Sequence, residues 1–166
     1  MSESDGSAEF ESSMQLSPWD FDQSNAGWRA VLDAHGDAAA AHCIRRYLVL
    51  HEDAMRADPQ KCAIAPELLY FHLGQLLAFG GEGGYAQALR AFSRSHLPGR
   101  ECWNAYVQAT VAFLQRDAQE IRASILRIEA CPRDQQVDGN IAVVRRFETA
   151  LAAGQHDYKT AYLREG

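Results

Sequence analysis

Residues 70 to 92 most constrain what this chain can fold into. Tyr70-Phe71-His72-Leu73-Gly74-Gln75-Leu76-Leu77-Ala78-Phe79 is rich in large apolar side chains. Gly80-Gly81-Glu82-Gly83-Gly84 interrupts it, and Tyr85-Ala86-Gln87-Ala88-Leu89-Arg90-Ala91-Phe92 follows. The spacing predicts two amphipathic helices joined by a glycine-rich turn, because apolar side chains three and four apart share one helix face. Gly74 and Ala88 are small residues within the two stretches, and Phe92 is a large apolar one closing the second.

The same grammar runs along the rest of the chain. Trp28, Val31 and Leu32 form a short stripe ending at Gly36. Asp37 is placed to cap a helix over 38–56, Pro59 closes it, and Pro66 opens the helix that ends near Phe79. Further helices are expected over 85–95, 101–115 and 118–130, the last capped by Asp117 and striped by Ile121, Ile125 and Ile128. Ile141, Val144, Phe147 and Leu151 mark another, and Tyr158, Ala161 and Tyr162 a last short one. No segment alternates apolar and polar residues over a strand's length. The expectation is an all-α chain of about eight helices in four antiparallel hairpins, with turns recurring at roughly 48, 32 and 39 residues.

Of 166 residues, 47% are apolar, enough for one substantial core, and the net charge is −6. The excess sits at the start: Glu3, Asp5, Glu9, Glu11, Asp20 and Asp22 precede the first basic residue, Arg29. A near-neutral body argues against nucleic-acid binding, which needs clustered cations to displace counterions. Residues 1–23 read as an acidic, serine-rich segment, largely disordered or docked through Trp19 and Phe21, because two large aromatics are costly to leave in water. Residues 24–166 read as the helical domain. The first residues show neither a basic n-region nor an apolar run, and no stretch suits a bilayer. The expected location is the cytoplasm, with no membrane association. Cys43, Cys62, Cys102 and Cys131 form no C-x-x-C pair and are expected as reduced thiols.

Tyr70, Leu73, Gly74, Leu77, Tyr85, Ala88 and Phe92 fall in the order of the packing residues of the tetratricopeptide family, with a longer turn, and the segment resembles that family. The other hairpins match less well: Ile121 and Ile125 replace the usual alanine and aromatic, and Arg45 stands where an aromatic belongs. Residues 70–162 are also similar to a group of small bacterial proteins with tetratricopeptide-like repeats. The resemblance implies a short right-handed solenoid whose concave groove is lined by the first helix of each hairpin. By that register, Phe71 and Gln75, then Asn104 and Gln108, line the groove. His72 lies beside it, within reach of a ligand or of Trp103. The amides offer donors and acceptors to a peptide backbone.

For chemistry the sequence offers little. His42, Cys43 and His51 lack zinc-ligand spacing. The glycine-rich stretch lacks the Lys-Ser/Thr pair of a phosphate loop, and no cysteine sits in a nucleophile signature. No catalytic residue, metal or cofactor is therefore expected. The function expected is a non-enzymatic adaptor or chaperone-like module holding an extended peptide or partner helix. The alternative is a self-associating homo-oligomer or small-molecule-binding domain, with Trp19 and Phe21 as a plug.

Overall fold

The computed structural model describes residues 10–135 and 139–163. The regular structure of these residues is helical, with no strand among them. Ten α-helices follow in order: α1 (Pro18–Gln23), α2 (Trp28–His35), α3 (Asp37–Ala57), α4 (Pro59–Cys62), α5 (Pro66–Phe79), α6 (Glu82–Phe92), α7 (Glu101–Leu114), α8 (Ala118–Glu129), α9 (Asn140–Ala152) and α10 (Tyr158–Leu163). Two exceed the sequence expectation, α1 and α4. Both are single short turns started by proline after a capping side chain: Ser17 Oγ accepts from the Asp20 amide, and Asp58 Oδ1 from the Lys61 amide.

Consecutive helices pair as α2/α3, α5/α6, α7/α8 and α9/α10. The pairs pack in sequence through α3 on α5, α6 on α7, and α9 on both α7 and α8, while α10 returns to touch α5. Two apolar clusters result. One holds Phe71, Ala88, Phe92, Tyr106, Phe113, Ile121, Phe147 and Tyr158. The other holds Met14, Phe21, Trp28, Ile44, Tyr47, Met55, Leu69 and Leu73. Helix α5 contributes to both, and its Leu77 and Phe79 lie against each.

The α5/α6 hairpin departs from expectation at its turn. Only Gly80 and Gly81 connect the helices; Glu82, Gly83 and Gly84 already belong to α6. Gly81 adopts φ 84°, a left-handed conformation that glycine takes without strain. Gly84 is there for contact. A Cβ at this position would overlap the carbonyl oxygen of Leu77. Gly74 has the same role deeper in the hairpin, where a Cβ would stand 2.7 Å from the Phe92 ring. The glycine-rich stretch is thus a tight crossing, not an enlarged loop.

This assigns opposite outcomes to neighbouring glycines. Gly84→Ala is expected to destabilise the fold by about 2 kcal/mol or more, because backbone cannot yield to an added methyl. Gly83→Ala, which meets open space within a helix, is expected to stabilise by about 0.5–1 kcal/mol. Urea melts of the two variants check the pair.

Candidate functional site

The residues assigned by register to an open groove on α5 and α7 are mostly enclosed. Phe71 is 2% exposed, with its ring centre 5.2 Å from Phe92, 4.9 Å from Trp103 and 5.2 Å from Tyr106. Gln75 is buried as well. Phe71 is thus enclosed by α6 and α7, and two further parts of the chain close around α5 beside it. At one end the segment from residue 10 to Trp28 lies across α3 and reaches α5. At the other end α10 lies against α5 and α9.

The N-terminal cover is built from aromatic stacking and a buried carboxylate. Phe21, fully buried, stacks on Tyr47 at 3.7 Å between ring centres. Tyr47 Oη donates to the Leu16 carbonyl at 2.8 Å, and His51 Nε2 lies 2.9 Å from the Met14 carbonyl. Phe10 stacks on His42. Trp19, by contrast, is 52% exposed, so the two aromatics of this segment part company. Asp22 is buried and accepts from Trp28 Nε1 at 3.0 Å. Its Oδ1 also lies 3.5 Å from His72 Nε2. His72 Nδ1 faces Gln75 Oε1 at 3.1 Å. His72 therefore turns to Asp22, Trp28 and Gln75, not to Trp103 or an open groove. Burial pulls its pKa below the usual histidine value, against the upward pull of Asp22 and Gln75.

The C-terminal cover is a tyrosine cluster. Tyr85 Oη donates to the His156 carbonyl at 2.8 Å and accepts from the Tyr158 amide at 2.9 Å. That single hydroxyl ties the start of α10 to α6. The Tyr158 ring is fully buried among Phe79, Phe113, Phe147 and Tyr162. Its pKa is raised strongly, chiefly by burial, so the phenol stays neutral. Arg146 donates to the Tyr162 carbonyl at 2.8 Å and holds the end of the helix.

Asn104 spends both ends of its amide on one residue: Oδ1 accepts from the Leu97 amide and Nδ2 donates to the Leu97 carbonyl, each at 2.8 Å. With Trp103 Nε1 donating to the Ser95 carbonyl at 2.7 Å, it pins the connection between α6 and α7. Gln108 is half-buried and lines an open cavity of about 760 Å3 with Asn104, His96, Glu120 and Arg127. The wall of this cavity carries a disulfide between Cys102 and Cys131, with Cα atoms 5.9 Å apart. This corrects the expectation of four reduced thiols: Cys43 and Cys62 are free, and Cys102 and Cys131 are paired. Spacing hid the bridge because 29 residues separate the partners, which meet only after α7 and α8 pack.

A second concave surface lies between α3 and α6. Its floor is Tyr70, Leu73 and Leu77 of α5, with Ala91 of α6. Arg45, Leu48 and Val49 form one wall, Arg90 and Arg94 the other. Two cavities, of about 460 and 560 Å3, adjoin here and share Arg45, Leu77 and Gln87 in their linings. Val49 is 74% exposed at the rim.

One end of the groove is fixed by a network around Glu52. Tyr70 Oη donates to Glu52 Oε2 at 2.6 Å; Arg56 and Arg94 bind Oε1 at 2.9 and 2.8 Å. The Arg94 guanidinium lies 4.0 Å over the Tyr70 ring. Burial raises the Glu52 pKa, but these hydrogen bonds and charges together hold it below the usual glutamate value. The same surroundings push the Tyr70 phenol up to about 12, first by burial and then by Glu52.

Arg45, Arg90 and Arg94 were not among the sequence candidates. A signal existed. Arg45 occupies a position where the resembled family places an aromatic, and Arg90 and Arg94 lie four apart with no carboxylate between them. Among the described residues, no group of three or more His, Cys, Asp or Glu side chains is placed to hold a metal ion, and no helix is long and apolar enough to cross a membrane. Comparison with protein-family models, curated proteins and solved structures finds no match to this chain.

Two measurements check this geometry. Because the folded His72 pKa lies below its unfolded value, its neutral form supports the fold above about pH 6.5, and that support is lost as pH falls toward the lowered folded value. Urea midpoints between pH 7.5 and 5 are expected to fall less steeply in His72→Gln than in the parent. For the cysteines, thiol titration of unfolded, unreduced protein is expected to give two reactive groups, rising to four after reduction.

Proposed function

We propose that this chain is a non-enzymatic protein-interaction module, adaptor or chaperone-like, built as a short tetratricopeptide-like solenoid. The packing of Gly74 against Phe92 in the α5/α6 hairpin supports the solenoid reading. The partner is held in the outer groove between α3 and α6, because Phe71 and Gln75, which the family register would offer to a ligand, are already buried within the chain, Phe71 against Phe92, Trp103 and Tyr106 and Gln75 beside His72.

One observation carries this reading: Val49 is three-quarters exposed beside an apolar floor, on a groove whose long sides are two rigid helices. A large apolar side chain left in water at the edge of a concave surface marks a contact surface more often than a scattered one does. Rigid helical walls limit the ordering cost of binding. The Cys102–Cys131 bridge bears on the compartment. Reducing cytosol keeps thiols apart, so the bridge favours an oxidising setting over the cytoplasm expected from sequence.

Site-specific photocrosslinking in the source cell tests the proposal. A photoreactive residue at position 49 is expected to give a discrete adduct with another protein. The same residue at position 126, where Leu126 is exposed away from the groove, is expected to give none. An adduct of twice the chain mass supports the self-association reading instead. No adduct at 49, or equal adducts at both positions, contradicts the groove.

A further inference from the structure

We propose that the α3/α6 groove recognises an acidic peptide, one that places carboxylates on either side of an aliphatic or aromatic anchor. The inference rests on the interaction-module reading and adds the chemistry of the partner.

The charge arrangement carries it. Three arginines, Arg45, Arg90 and Arg94, line the 460 Å3 cavity against one carboxylate, Glu52; the adjoining cavity adds Asp37, which is paired with Lys159. Glu52 is already shared by Arg56 and Arg94, so it has no charge left to offer the other two. Arg45 donates only to a neutral amide, Gln87 Oε1, at 3.2 Å. Arg90 forms no ion pair among the described residues. Both side chains are exposed, on opposite walls of one depression.

On a near-neutral body, a concave surface with two guanidinium groups that hold no ion pair is a local excess of positive charge. Guanidinium groups bind carboxylates through paired N–H donors, which gives such a surface geometry as well as charge. Between the two arginines the floor is Leu73, Leu77 and Ala91, which suits an apolar anchor and not a sugar-phosphate backbone. A nucleic acid would call for a row of cations and for open aromatic faces. Here the Tyr70 ring is already capped by Arg94. The occupant that matches both the charge and the floor is therefore an acidic protein segment with an apolar centre.

The test uses the full chain and fluorescence anisotropy. The probes are short labelled peptides with a Leu or Phe flanked by glutamates at varied spacing. Their lysine-substituted counterparts and a labelled single-stranded oligonucleotide serve as comparison. At least one glutamate peptide is expected to bind, with affinity that falls as salt rises. Arg45→Glu combined with Arg90→Glu is expected to weaken it by about tenfold or more, as loss and reversal of contact charges should. The milder pair Arg45→Gln and Arg90→Gln is expected to give a smaller loss in the same direction. Unchanged thermal midpoints show that the variants fold, since neither arginine holds an ion pair.

Equal binding of the lysine peptides, preference for the oligonucleotide, or affinity indifferent to both variant pairs overturns the proposal. A dimer of the parent chain that the charge reversals dissociate also overturns it, by making a second copy the occupant. If position 49 crosslinks a partner while no glutamate peptide binds, the acidic chemistry falls and the interaction module stands. If position 49 gives no adduct and no glutamate peptide binds, both fall.

Discussion

The fold depends on a helix that has almost no polar face. In α5, Leu69, Tyr70, Leu73 and Leu76 are buried in one apolar cluster and Phe71 and Ala78 in the other, leaving only scattered positions for solvent. A helix apolar around most of its circumference is stable only when other elements surround it. This requirement explains the path of the chain. Helix α3 covers one side and α6 a second, with Gly74 and Gly84 setting how close α6 comes. The remaining side is closed by the N-terminal segment and by α10, whose Tyr158 fills the space beside Phe79 and Phe113.

That closure decides which surface is open for binding. In a hairpin stack whose first helices line a groove, Phe71 and Gln75 would meet a ligand. Here they meet Tyr106, Trp103 and His72. Asn104 is occupied in the same way, by the backbone of Leu97. Groups already paired within the protein would have to give up those bonds before binding a peptide, which removes most of the net gain. The outer groove asks less: Arg45 would give up one hydrogen bond to the neutral amide of Gln87, and Arg90 holds no ion pair among the described residues. Arg45 and Arg90 are exposed, Val49 is in water, and the network around Glu52 holds one end rigid.

How much of this was legible in the sequence varied with the range of the interaction. Helix limits were legible because capping signals are local: Asp117 caps α8 through its side chain, Pro66 opens α5 and Gly36 follows α2 directly; Asp37, expected as a cap, is instead the first residue of α3, with Gly36 in the cap position and its own carboxylate on Lys159 Nζ at 2.6 Å. The contact of Gly74 with Phe92 was legible because one hairpin contains both partners. The turn was misread, since composition alone cannot separate a glycine that bends the chain from one, like Gly84, that admits a neighbour. The groove register was misread for a related reason. The run from Leu68 to Phe79 is apolar on nearly every face, and that absence of a polar stripe signalled enclosure of Phe71 and Gln75 more reliably than family register did. The disulfide and the placement of Arg45 and Arg90 around one cavity depend on tertiary packing across many residues, which periodicity does not encode.

The central claim is that the α5 face is sealed by the chain itself while the α3/α6 groove is open. Cysteine accessibility tests it most directly. In a Cys62→Ser background, a cysteine is placed at Gln75 or at Gln87, and maleimide labelling is followed by mass under native conditions. Position 87 is expected to label at the rate of an exposed thiol. Position 75 is expected to label only as fast as the protein opens, with protection lost in urea. Rapid native labelling at position 75, comparable with that at 87, would contradict the account.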